Sequence, residues 1–175
     1  MPLLVLEGPD GSGKSTLAQK LLKGTGHPTL LIKRSGSPGA AETLRFQNNW
    51  IHEQGQSPLN IIADRHPIIS EAVYDRVVRD RGSVYTLPDA IEALTKPGIM
   101  VVYCRAETGK MFENAHVEEQ MDGVFQNYRN LVNEYDYWMQ SLEEQGINIY
   151  WHNYISDPSM TDAIEEVKRF WEGKR

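Results

Sequence analysis

The stretch Leu3-Leu4-Val5-Leu6-Glu7-Gly8-Pro9-Asp10-Gly11-Ser12-Gly13-Lys14-Ser15-Thr16 decides how this chain is read. Four consecutive apolar residues predict a buried strand, and residues 8–15 then spell G-x-x-x-x-G-K-S, a phosphate-binding loop. Glycines at 8, 11 and 13 let the backbone bend until successive amide N–H groups converge on phosphate oxygens. Gly8, Asp10, Gly11, Ser12, Gly13, Lys14, Ser15 and Thr16 are therefore the expected cradle of a nucleotide. Lys14 brings a cation to the β- and γ-phosphates, and the Ser15 hydroxyl is placed for Mg²⁺. The helix starting near Lys14 aims its positive dipole end at the same oxygens. Leu17, Ala18, Leu21 and Leu22 give that helix its apolar face. ATP and Mg²⁺ are the cofactors so implied.

The rest of the composition narrows the setting. A chain of 175 residues, 40% apolar and 24% charged, has the length of one domain with a sizeable core. A formal net charge of −6 offers no general attraction to nucleic acid or an anionic membrane, so any phosphate binding is local. Cys104 is the single cysteine, which excludes an internal disulfide and fits a reducing cytoplasm. Its place at the end of an apolar run predicts a buried small hydrophobe. The amino terminus lacks a basic segment, and no run approaches the ~20 apolar residues of a membrane span. A soluble, cytoplasmic protein is expected.

Strand-like runs at 3–7, 29–33, 60–63, 99–104 and 147–152 alternate with helical patterns. This order predicts an α/β, three-layer fold: a five-stranded parallel sheet with helices on both faces. Ile69, Ala72, Val73 and Val77 mark one helix. A stripe from Met121 through Val124, Phe125, Tyr128, Leu131, Val132, Tyr135, Trp138 and Met139 to Leu142 marks a long second one, read as core. Asp157 as N-cap and Pro158 in the first turn predict a last helix. Ligands of such sheets bind at the carboxyl ends of strands, so the residues there are the site candidates.

After the third strand comes Asp64-Arg65-His66-Pro67-Ile68-Ile69-Ser70-Glu71-Ala72-Val73-Tyr74. Asp64 is suited to hold Mg²⁺ through water or to orient an acceptor oxygen. Arg65 can grip phosphates and steady charge as a phosphoryl group moves. With the phosphate loop, these residues resemble the thymidylate kinase branch of the nucleoside monophosphate kinases, in a compact, viral-type form. That family repeats Asp-Arg, then Ser, then Tyr. The run Lys33-Arg34-Ser35-Gly36-Ser37-Pro38-Gly39-Ala40-Ala41-Glu42-Thr43-Leu44-Arg45 resembles its basic loop after the second strand.

The resemblance implies a P-loop kinase fold and places Asp10 on the acceptor sugar, Arg45 and Arg65 on its 5′-phosphate and Tyr74 against its 2′ position. Lys33, Arg34 and Ser70 join this acceptor set, and Phe46 and Trp50 are candidates to stack on its base. It implies a short mobile lid over 105–117 with Arg105 as a catalytic cation, and pairing into a homodimer. Catalysis would rest on Lys14, Asp64, Arg65 and Arg105, with Ser15 and Asp64 on the metal. Asp75 stands after Tyr74, where the family has glutamine to read the base.

The expected activity is transfer of the ATP γ-phosphate to a deoxynucleoside monophosphate, thymidylate or a pyrimidine analogue foremost. Two alternatives stand beside it. A deoxynucleoside kinase is suggested by Glu118-Glu119-Gln120 and the aromatic helix that follows, although a free 5′-hydroxyl wants a carboxylate where Lys33 and Arg34 stand. A kinase acting on a hydroxymethylated base in DNA would use a local basic groove from Lys33, Arg34, Arg76, Arg79 and Arg81. A nucleotide-dependent binding module is the reading outside the enzymes.

Overall fold

The computed structural model describes residues 2–33, 49, 53, 59–117 and 120–173. Arg34, Arg45, Phe46 and Trp50, four of the expected acceptor residues, lie outside them. The five expected strands form: β1 (Leu3–Glu7), β2 (Thr29–Lys33), β3 (Asn60–Asp64), β4 (Ile99–Cys104) and β5 (Ile149–His152). All neighbours are parallel, in the order β2-β3-β1-β4-β5. The chain fills one side of β1 with β2 and β3, then crosses to β4 and β5. The carboxyl end of β1 is therefore a topological switch point, where two flanking loops part and open a crevice. The phosphate loop begins there.

Among the described residues six helices cover the sheet. They are α1 (Lys14–Gly24), α2 (Pro67–Val77), α3 (Leu87–Leu94), α4 (Thr108–Ala115), α5 (Tyr128–Glu144) and α6 (Thr161–Trp171). Alternation along β1 sends Leu3 and Val5 to one face and Leu4 and Leu6 to the other, so the molecule has two cores. Leu3 and Val5 pack with α2, α3, α4 and α5, whereas Leu4 and Leu6 pack with α1 and α6. The expected three-layer fold is present.

Four local readings are corrected. The long helix starts at Tyr128, not near Met121, because Gly123 takes φ +87° and the chain turns through 121–127. The last helix starts at Thr161. Asp157 still caps it, from outside the first turn, by accepting the Thr161 N–H at 3.0 Å. β5 is shorter than the apolar run and begins at Ile149. α3 went unread, although Thr86 and Asp89 form a reciprocal capping box that the spacing T-x-x-D announces.

The segment expected as a mobile lid carries α4, with Met111 and Ala115 buried against the core. α4 lies so close to the phosphate loop that a Cβ on Gly11 would overlap the Met111 carbonyl, and Gly11 itself has φ +76°. Gly11→Ala is expected to cost at least about 2 kcal/mol in denaturant unfolding, because sterics and backbone both oppose it. A loss below half that value would mean that α4 moves aside freely.

Candidate active site

An open cleft of about 390 Å³ at the end of β1 is lined by Asp10, Gly11, Gly13, Lys14, Ser15, Thr16, Asp64, Arg65, Asn114 and Val117. It gathers phosphate-loop residues with Asp64, which ends β3, and Arg65, which follows it. Gly8, Gly11 and Gly13 all have positive φ, as the inward-turned loop requires. Among the described residues no side chain caps α1, whose first residue is Lys14. Its leading N–H groups thus face the cleft as anion donors.

Lys14 is 6% exposed and folds back onto its own loop, donating to the Gly8 carbonyl at 2.9 Å, the Pro9 carbonyl at 2.6 Å and Ser12 Oγ at 3.3 Å. Burial, reinforced by the Arg65 charge, pulls the Lys14 ammonium down to about 8, and Asp10 and Asp64 hold it up only in part. A polyphosphate binds the protonated form, so raising the pH depopulates the binding-competent state. Affinity for ATP is expected to weaken about tenfold between pH 7 and pH 9, with proton uptake on binding at the higher pH. Fluorescence titration and calorimetry in two buffers check this, and a flat profile would show that Lys14 keeps its proton throughout.

Ser15 and Asp64 meet across the cleft, with Ser15 Oγ 3.4 Å from Asp64 Oδ2. Two hard oxygen donors beside a phosphate cradle suit Mg²⁺, which takes one or two protein ligands and completes its octahedron with phosphate oxygens and water. The two expected metal residues are thus adjacent and fit the ion. Lys33, exposed at the end of β2, is in register with Asp64.

Deeper in the cleft, Arg65 organises a network. Its guanidinium pairs with Asp10, donates to Tyr135 Oη at 2.9 Å and the Gly8 carbonyl at 3.3 Å, and stands over the Tyr74 ring at 5.3 Å. The backbone of Arg65 takes φ +75°, a strained geometry for a residue with a Cβ. Tyr74 Oη donates to the second Asp10 oxygen, and Tyr128 Oη donates to the Asp10 carbonyl. Burial pushes the Asp10 carboxyl up, but Arg65, Lys14 and the Tyr74 hydroxyl overcome it and hold the group below its usual range.

Glu7, the last residue of β1, is fully buried and accepts from the His66 N–H and the Ser70 hydroxyl. Burial raises its carboxyl despite the nearby Arg65 charge. Ser70, expected on the acceptor side, is buried and holds Glu7, which in turn holds the His66 N–H at the start of α2.

Arg105 follows β4 and turns its guanidinium to Asp136, with Nε 2.9 Å from Oδ1. It is not among the residues lining the cleft. Asp75, buried, accepts from Arg79 and Arg81, and Arg79 also binds Glu71. Cys104 is buried as expected, and burial pushes its thiol up to about 12.

Sequence reasoning missed Glu7, Tyr128, Tyr135, Asn114 and Tyr154. Tyr154 packs on Gly13 and accepts from Asn114 at 2.8 Å. A carboxylate closing an apolar strand was a legible sign of Glu7. Tyr128 and Tyr135 lay in plain view within a stripe read as core. Their rings are buried, but their hydroxyls reach Asp10 and Arg65.

The sheet order, the loop after β1 and the helix behind it define the class: a P-loop kinase fold. In particular, the chain is similar to the YorR protein of Bacillus subtilis in complex with phosphorylated GDP, at 24% identity and a TM-score of 0.69, over 95% of this chain and 96% of that one. It is also similar to deoxyadenosine kinase from M. mycoides. The structure with bound dATP gives 15% identity and a TM-score of 0.56, over 87% and 91% of the two chains. The structure with the products dCMP and a flexible dCDP gives 13% and 0.58, over 99% and 100%. These likenesses establish a shared fold. No protein-family model and no curated protein matches the chain. Among the described residues no helix is long and apolar enough to cross a membrane.

Proposed function

We propose that the chain is a Mg²⁺-dependent kinase that moves the γ-phosphoryl group of ATP onto a deoxynucleoside 5′-monophosphate, with thymidylate or another pyrimidine nucleotide as acceptor. One observation carries this reading: a buried lysine, a Ser–Asp pair suited to Mg²⁺ and a half-buried arginine share one cleft at the switch point of the sheet. Lys14 would leave its own carbonyls for the β- and γ-phosphates, and α1 would add its N-terminal dipole. Mg²⁺ would neutralise the donor phosphates and template their geometry. Asp64 would orient metal-bound water or the acceptor, and Arg65 would steady the developing charge from a position fixed by Asp10 and Tyr135. By the family resemblance, Asp10 and Tyr74 would face the acceptor sugar, with Lys33, Arg34, Arg45, Phe46 and Trp50 completing that side. A cytoplasmic homodimer of the single domain fits the same resemblance.

A second reading, a deoxynucleoside kinase, is favoured by the likeness to the M. mycoides enzyme. The DNA-kinase reading loses support, since Arg79 and Arg81 are paired with Glu71 and Asp75, and Arg76 with Glu134. The test measures ATP consumption with Mg²⁺ on deoxynucleoside monophosphates, on the matching nucleosides and on DNA with hydroxymethylated pyrimidines, with Lys14→Ala as control. Turnover on a monophosphate, absent in the variant, supports the proposal. Turnover only on a nucleoside or on DNA replaces it.

A further inference from the structure

Three groups beyond the ends of β1, β3 and β4 are indexed by one helix. From α5, Tyr128 holds the Asp10 carbonyl, Tyr135 holds Arg65 and Asp136 holds Arg105. The first two contacts serve groups that line the cleft. We propose that the third does so too: Asp136 is a positioning residue that keeps Arg105 poised to turn its free end onto the transferring phosphoryl group. This inference rests on the kinase reading above.

The hold on Arg105 is lopsided. Its Nε lies 2.9 Å and 3.2 Å from the two Asp136 oxygens, a charge-assisted contact. Among the described residues its two terminal nitrogens meet neutral oxygens, the adjoining Ala106 carbonyl and Thr108 Oγ1 at 3.4 Å. An arginine fixed at Nε keeps both terminal nitrogens available for a phosphate, which they match as a planar fork. Asp136 is itself anchored. It accepts from Tyr103 Oη at 2.7 Å, and the fully buried Tyr103 ring stacks on Tyr135 and meets Trp151 edge-on.

Arg105 also starts from the right place. The Cys104 carbonyl before it lies where a Cβ on Gly8, the first loop residue, would overlap it. The Arg105 N–H is pinned to the His152 carbonyl at 2.7 Å. Its charge acts on the Tyr128 hydroxyl, the group that holds Asp10. Arg105 and Asp136 are 26% and 25% exposed, so the pair keeps access to solvent while Asp136 stays anchored to the buried Tyr103. This arrangement holds a cation near the mouth of the cleft.

The test is a kinetic cycle of Asp136→Asn, Arg105→Ala and the double variant, with Asp136→Glu, Tyr103→Phe and melting temperatures alongside. Arg105→Ala is expected to lower kcat about 10³-fold. Asp136→Asn should lower kcat about 10–100-fold with both KM values within about twofold, the signature of a misplaced catalytic group. Asp136→Glu should recover part of that loss. Tyr103→Phe, which keeps both charges, should lose several-fold. The double variant should be no slower than Arg105→Ala, since Asp136 acts only through the arginine.

Multiplying losses, or an unchanged kcat in both Asp136→Asn and Tyr103→Phe, overturn the inference. An unchanged kcat in Arg105→Ala beside a dead Lys14→Ala also overturns it while the kinase reading stands. No turnover by the unaltered protein on any acceptor removes that reading, and the inference falls with it.

Discussion

Lys14→Met is expected to abolish ATP turnover while the nucleotide-free protein becomes more resistant to heat. Turnover should fall by a factor on the order of 10³ or more, because the ammonium neutralises charge that grows as the phosphoryl group transfers. Stability should move the other way. The Lys14 ammonium is buried with its pKa drawn down to about 8 from the ordinary lysine value of 10.5. That shift corresponds to roughly 3 kcal/mol against the charged form.

Removing Lys14 strands little. The Gly8 carbonyl keeps Arg65 at 3.3 Å, and the Pro9 carbonyl keeps the Ser12 N–H at 3.3 Å. Methionine fills a similar volume without charge. A net gain of about 1 kcal/mol would raise the melting temperature by about 2–4 °C for a chain of this size. The same linkage works on the unaltered protein. A lysine with a lowered folded pKa binds fewer protons when folded, so its contribution to stability rises with pH between about 8 and 10.5. That slope should vanish in Lys14→Met. A melting temperature that drops by several degrees would recast Lys14 as a structural cation and its lost turnover as a folding defect.

The sheet covered on both faces and the phosphate loop were legible because each is specified by neighbours in the chain. The unbroken apolar run from Leu3 to Leu6, glycines at fixed spacing and the apolar face of α1 are local signals. What escaped is set by approach in space. Tyr128, Tyr135 and Asp136 lie on α5, more than sixty residues from Asp10 and Arg65, and their helical spacing looks the same whether a hydroxyl ends in a core or at a site. Arg65 is the mixed case. Its identity was legible beside Asp64, but its positive φ and its triple engagement with Asp10, Gly8 and Tyr135 arise only when β3 packs beside β1. Gly123 shows the opposite failure, where a periodic apolar pattern ran through a residue that breaks the helix.

Arg65→Ala is expected to cost about 3–5 kcal/mol of stability and at least about 10² in kcat/KM. The guanidinium is the stronger of two cations, with Lys14, that offset the desolvation of Asp10 and Glu7, acting on Asp10 by direct pairing and on Glu7 through the field. Removing one member of such a set leaves uncompensated buried charge, which is where losses of that size arise. Two further readouts separate this cause from general disruption. Arg65→Gly should be more stable than Arg65→Ala by about 1 kcal/mol, although both lack the cation, because glycine accepts φ +75° without strain.

The deficit should also shrink as the pH falls from 7 toward 5. Without Arg65, the Glu7 carboxyl, already raised by burial, loses the strongest influence that lowers it, and Asp10 loses its strongest counter-charge, so the folded variant binds more protons than the unaltered fold and recovers stability on acidification. In the unaltered protein Asp10 has the opposite sign. Its lowered pKa contributes stability above the ordinary carboxylate range that is lost as the pH drops through the folded value. Denaturant unfolding of the three proteins at pH 7 and pH 5 reads both effects. A deficit independent of pH, with alanine and glycine equal, would mean that Arg65 stabilises by packing alone and that its charge is free for the substrate.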